Sequence, residues 1–247
     1  MEVVLVSPRN PLNIGAVARA MSNFGFSRLN VVAPFEPHWR EARSGVGAEI
    51  LLQNARVFTT LEEAVGDCTL VVGTGTRTRR KPEQAAMFLP EIASRVFDEL
   101  RLGGRMAFVF GPEKHGLTRE DLACCHLLVE IPTDARQPSM NLGQAVAVCL
   151  YELARAEWDG ANVSLPKSKP AGLPATSGAL ERLTEAIVET MAASSYSPQI
   201  MQDANRHDLQ VTLRRLAWTE ADAIRALGLF RRILFRLRNP IRRQARP

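Results

Sequence analysis

Short, nearly continuous apolar runs recur through the first 131 residues at Val3–Val6, Asn30–Ala33, Thr69–Val72, Arg105–Phe110 and Leu127–Ile131. Each is too brief for a buried helix and reads as a strand covered on both faces. Between them the period changes. Ile14, Val17, Ala18, Met21 and Phe24 share one face of a helix that Asn13 caps and Gly25 ends. Val57–Phe58 leads into a helix over Leu61–Val65, a helical segment spans about Met87–Leu100, and Thr118–Cys124 is a short helix with Thr118 and Asp121 as a capping box. Strands alternating with helices predict an α/β fold with a mostly parallel sheet.

One helix is different. Leu142, Ala145, Val146, Val148, Cys149, Leu150 and Leu153 cover most of its circumference, so it is buried on more than one side. Ser139 stands at its N-cap position, and its first-turn N–H groups face the polar loop after Ile131. Such an end suits a ligand's polar or anionic group.

Around Asp159–Gly178 the texture turns to Pro, Gly, Ser, Lys and Ala, which reads as a linker. Beyond it only helices are predicted. Leu180, Leu183, Ile187 and Met191 stripe the first, Pro198–Ala217 forms the second, and Thr219 with Asp222 caps a third that Pro240 stops. The expected organisation is an α/β domain over residues 1–158, a linker over 159–178 and a helical appendage over 179–247.

Composition narrows this. The 247 residues are 46% hydrophobic, enough for one medium domain with an appendage. No apolar run reaches the roughly 18 residues of a membrane span, and the chain opens on a strand pattern instead of a signal segment. Cys68, Cys124, Cys125 and Cys149 lack metal or disulfide spacing, so free thiols in a reducing cytoplasm and no metal are expected. The net charge of +5 is unevenly spread: eleven arginines against three acids from Arg206 onward leave −3 for the first 205 residues. An arginine-rich tail suits phosphate, and so nucleic acid.

Ligands of α/β sheets bind at strand carboxyl ends. The chain has neither a Gly-x-Gly-x-x-Gly turn nor a P-loop, which disfavours ordinary dinucleotide and nucleoside-triphosphate sites. Three other junctions stand out: Asn13-Ile-Gly15-Ala-Val-Ala-Arg19, Gly111-Pro-Glu113-Lys-His-Gly116, and Pro138-Ser139-Met140-Asn141. Alone, each has an ordinary reading as a cap, a surface ion pair or a polar first turn.

Together, and in this order, the three segments resemble the motifs of the SpoU/TrmH family of RNA ribose 2′-O-methyltransferases, within the SPOUT class. The resemblance covers about Val3–Ala156. The tail, with Asn205 and Leu213-Arg214-Arg215-Leu216 before a closing basic helix, looks like the extension of that family's TrmJ branch, which methylates the ribose at position thirty-two of the tRNA anticodon loop. The resemblance implies a C-terminal deep trefoil knot, a homodimer, S-adenosylmethionine as cofactor and tRNA as partner. It further implies that Thr74, Gly75, Thr76, Gly111, Ile131, Ser139, Met140 and Asn141 line the cofactor pocket. Arg19, Asn13, Glu113, Ser139 and Asn141 become the catalytic set. Gly75 departs from the family's usual Ser at that place.

The chemistry can be weighed from the residues. A ribose hydroxyl is a weak nucleophile, so the protein must align it and stabilise alkoxide character. His115 is the only histidine in the three motif cores. Arg19, charged at every working pH, is expected to orient the hydroxyl and offset its charge, with Asn13, Ser139 and Asn141 positioning it and Glu113 anchoring them. Arg77, Arg79, Arg80 and Lys81 follow the Thr74–Thr76 loop and, with Arg214, Arg215, Arg231 and Arg232, are the expected RNA contacts. Few aromatic residues lie near the motifs, so base stacking is not expected. The alternatives are a ribosomal RNA methyltransferase of the same family and an RNA-binding protein that keeps the fold without catalysis. The five polar residues argue against the latter.

Overall fold

A computed structural model describes residues 1–76, 83–158 and 172–239. The order is β1 (Glu2–Val6), α1 (Pro11–Asn23), β2 (Leu29–Val32), α2 (Glu49–Gln53), β3 (Arg56–Phe58), α3 (Leu61–Val65), β4 (Leu70–Thr74), β5 (Ala85–Phe88), α4 (Ile92–Arg101), β6 (Met106–Phe110), α5 (Arg119–Ala123), β7 (Leu127–Glu130) and α6 (Leu142–Trp158). Then come α7 (Ser177–Ala193), α8 (Gln202–Arg215) and α9 (Glu220–Arg238).

The strands form one sheet in the order β3-β2-β1-β6-β4-β7-β5, every pairing parallel. Side-chain alternation divides the core between the two faces. Val3 and Leu5 pack with Ile14, Met21, Val146 and Leu150 on the α1–α6 side. Val4 and Val6 pack with Leu61, Val65, Leu122 and Cys125 on the α3–α5 side. Both layers are dry, which explains why these strands are apolar at every position. Gly143 lets α6 cross α1 closely: a Cβ there would lie 2.8 Å from Ala16 Cβ.

Several expectations shift. Met87 and Phe88 belong to strand β5, not to a helix; β5 sits at the sheet edge and is half exposed, so its pattern does not look buried. Helix α1 starts at Pro11 with Asn10 as its cap, so Asn13 lies within the first turn. The cap of α6 is Asn141, whose Oδ1 accepts from the Gly143 and Gln144 amides at 2.9 and 3.3 Å; Ser139 does not fill that role. The capping boxes at Thr118 and the cap at Thr219 are as expected.

The appendage docks on the core. Ser177 N donates to Cys68 O at 2.7 Å and Gly178 N to Gly66 O at 2.9 Å, which stitches the start of α7 to the turn before β4. A Cβ on Gly178 would stand 2.9 Å from Gly66 O, so the close approach requires glycine. Pro174 bridges to Thr219, and α7 begins at Ser177, so ordered structure starts before residue 179. The rest of the expected linker and the stop at Pro240 lie outside the described residues.

Candidate active site

The carboxyl ends of β4, β6 and β7 open into a cleft of about 380 Å³. Thr74, Gly75 and Thr76 line one side, Gly111–Leu117 the second, and Ile131, Ser139 and Met140 the third. The Gly111–Gly116 loop doubles back tightly. A Cβ on Gly111 would lie 2.3 Å from Leu117 N, and Gly116 holds φ +64°. Gly75 is not compelled by packing, since a Cβ there would meet Leu128 at an ordinary 3.5 Å. Its N–H donates to Val129 O at 3.1 Å, while Thr74 Oγ1 donates to Val109 O at 3.0 Å.

At the rim, three segments far apart in sequence meet through side chains. Asn13 Nδ2 donates to Glu113 Oε1 at 2.8 Å, and Asn141 Nδ2 donates to Asn13 Oδ1 at 3.0 Å. The Glu113 carboxylate also accepts from Arg9 N at 3.3 Å and Asn10 N at 3.2 Å. Burial by itself would raise the Glu113 pKa. The hydrogen bonds from Asn13 and from the amides of Asn10 and Arg9 outweigh it, and the carboxyl titrates below its ordinary value. A charged carboxylate therefore anchors Asn13, Asn13 anchors Asn141, and Asn141 caps α6.

The structure thus unites Asn13, Glu113 and Asn141 and puts Ser139, Glu113 and His115 on the cleft wall. Asn141 does not itself line the cleft; both ends of its amide are engaged, by Asn13 and by the start of α6. Arg19 is exposed on α1 and outside the cleft lining of its own chain. Six residues beyond Asn13, it is rotated by about 240° and advanced by about 9 Å along the helix. The contribution of Asn10 and Arg9 to holding Glu113 was not anticipated. The Asn10-Pro11 pair, a cap followed by proline at the first helical position, was the available signal.

The expected RNA contacts divide. Arg214 is corrected: its side chain is 1% exposed, 3.3 Å from both Glu181 Oε2 and Ser177 Oγ, so it holds α8 to α7 and is not available to phosphate. Arg215, Arg231 and Arg232 are exposed, with the Arg232 guanidinium 5.9 Å from the Phe235 ring centre. Arg77, Arg79, Arg80 and Lys81 lie outside the described residues. The four cysteines are buried free thiols, and burial pushes Cys68, Cys125 and Cys149 up to about 12. No helix among the described residues is long and apolar enough to cross a membrane.

Residues 1–151 match the SpoU rRNA Methylase family. A Pseudomonas aeruginosa protein named tRNA (cytidine/uridine/adenosine-2′-O-)-methyltransferase TrmJ is 43% identical over 157 residues, 63% of this chain and 61% of that protein's length. The Pectobacterium atrosepticum tRNA (cytidine/uridine-2′-O-)-methyltransferase TrmJ is 31% identical over 236 residues, 95% of each chain, so its likeness extends through the appendage. The crystal structure of TrmJ from Z. mobilis ZM4 superposes with a TM-score of 0.80 at 28% identity, covering 94% of this chain and 98% of that one.

Proposed function

This chain belongs to the SpoU rRNA methylase family, and from that membership we propose that it transfers the methyl group of S-adenosylmethionine to a ribose 2′-hydroxyl of tRNA. The observation that carries the reading is the hydrogen-bonded chain Glu113–Asn13–Asn141 at the edge of the cleft. It joins the three junctions at one place, as an alignment device for a hydroxyl requires. The tRNA substrate is supported by the names of relatives that match along nearly the whole chain. The resemblance of the tail supports position thirty-two.

The cleft suits the cofactor. Its volume falls in the range of about 300–1,000 Å³ usual for organic ligands. Leu117, Leu128, Val129 and Ile131 offer apolar walls, Thr74–Thr76 offer hydroxyl and backbone groups, and the missing side chain of Gly111 keeps the floor clear. When bound, the cofactor supplies a methyl already activated by its sulfonium charge. The chain's own task is the acceptor: Asn13 and Asn141 fix polar groups at the rim, Glu113 holds them, and Arg19 stabilises negative charge on the ribose oxygen.

Arg19 meets this task in a homodimer. On α1 it shares a stripe with Leu12, which is 54% exposed, and on the neighbouring α6 Val148 and Tyr151 are also exposed. A second copy covering that apolar surface brings Arg19 toward its partner's cleft. The family resemblance supports the trefoil knot; in the sheet, β7 lies between β4 and β5, both earlier in the chain. Incubating the full chain with labelled S-adenosylmethionine and a mixture of unmodified tRNA and unmodified ribosomal RNA, then mapping ribose methylation by mass, tests the reading. Label at position thirty-two is expected. Label in ribosomal RNA alone would overturn the substrate, and no cofactor binding by calorimetry would overturn the activity.

A further inference from the structure

We propose that Arg9 and Phe35 form a stacking platform for a base flanking the methylated ribose, an inference that rests on the function proposed above. Few aromatic residues lie close to the three motifs in sequence, and Phe110, next to Gly111, is buried; the fold supplies an exposed one. Strands β1 and β2 are parallel neighbours, so their carboxyl ends emerge side by side. Each is followed by a residue other than glycine in the left-handed region, Ser7 at φ 45° and Ala33 at φ 42°. Such conformations are uncommon and gather where a chain must be aimed. Here they bring Phe35 N within 3.2 Å of Pro8 O, locking the two turns together.

Arg9 then faces two ways. Its backbone N–H is bound to Glu113, a cleft residue, while its guanidinium carbon lies 5.4 Å from the centre of the Phe35 ring. Phe35 is 67% exposed, and Arg9 is exposed beside it. A ring offered to solvent beneath a cation, tied through one residue to the Glu113 carboxylate on the cleft wall, matches single-stranded nucleic acid. The ring takes a base and the guanidinium takes a phosphate or extends the stack.

Full-length Phe35→Ala, Phe35→Leu and Phe35→Trp proteins test the platform with an unmodified tRNA transcript. The readouts are tRNA Kd, KM, kcat, cofactor Kd and the size of the assembly. Loss of one base stack is worth about 1–3 kcal/mol, so Phe35→Ala is expected to weaken tRNA binding by about 5- to 150-fold and raise KM. Cofactor affinity and assembly size should stay unchanged. Phe35→Trp should restore binding and Phe35→Leu should not. Unchanged tRNA affinity in Phe35→Ala, full rescue by leucine, or a smaller assembly (a second copy seated on the ring) would each overturn the inference. If the wild-type protein transfers no methyl group while Phe35→Ala still loses tRNA, the proposed function fails and the platform stands.

Discussion

Asn141 Nδ2 donates to Asn13 Oδ1 across 3.0 Å, although 128 residues separate the two. The same Asn141 accepts the first free amides of α6 through its Oδ1. One amide side chain therefore does a structural task with its oxygen and a positioning task with its nitrogen.

Substitution separates the tasks. Asn141→Asp keeps an acceptor for the α6 amides and loses the donor to Asn13, so melting temperature should hold while methyl transfer falls by about tenfold, near the upper value of one hydrogen bond. Asn141→Ala loses both and should also destabilise the protein by about 1 kcal/mol, the usual value of a cap. Thermal melts alongside single-turnover rates decide this. Equal melting losses in the two variants would refute the division of labour.

Arg19 sits outside the cleft of its own chain, which makes a specific prediction for mixed subunits. Arg19→Ala and Glu113→Gln proteins should each lose about a hundredfold or more in methyl transfer, the scale of one removed charge-stabilising group. Mixed and allowed to exchange, they should recover activity at about one quarter of the sites, because half the dimers are mixed and each holds one intact pair. No recovery on mixing would place both residues in a site built from one chain.

Arg214 and Arg215 are sequence neighbours with opposite fates. Arg214→Met removes one partner of Glu181, which keeps Arg206 and Gln210, and should cost about 1–3 kcal/mol in urea unfolding. Arg215→Ala, at an exposed position, should leave stability within about 0.5 kcal/mol. It should weaken tRNA binding and lower the slope of log affinity against log salt by about 1. The reverse pattern would refute this assignment of the two arginines.

The two arginines also show what the sequence could not say. The inner strands were legible because both sheet faces are dry, which leaves Val3–Val6 or Met106–Phe110 apolar throughout. Edge strand β5 escaped because Ala85–Phe88 is short and half exposed, so it lacks the continuous apolar run of the inner strands. The caps were misplaced by two or three residues, since asparagine and serine are both good caps and only geometry shows that Asn10 and Asn141 fill the role. Burial of Arg214 depends on Glu181, which lies 33 residues away on another helix. Nothing local marks Phe35, because its place beside Arg9 follows from two strained turns meeting. The meeting of the three polar junctions was expected through family resemblance and not through any pattern in the residues.

His126 makes the acid stability of the protein predictable. Its Nδ1 accepts from Val71 N–H at 3.0 Å and its own backbone N–H donates to Val71 O at 2.8 Å, so the neutral ring is built into the sheet. Burial first, then the charges of Arg214 and Arg95, push its pKa from the ordinary 6.5 down to about 3. Below pH 6.5 the unfolded chain takes up a proton that the folded chain refuses until about pH 3. Stability is therefore fully present above 6.5 and falls as pH drops through that window, by up to about 1.4 kcal/mol per pH unit from this group. Asparagine at this position keeps an acceptor for Val71 and does not titrate. Relative to wild type, His126→Asn should gain about 2 kcal/mol on going from about pH 8 to about pH 5. Urea unfolding of both proteins across that range measures the difference. Parallel stability curves would mean that the imidazole is already charged in the folded chain or never buried in it.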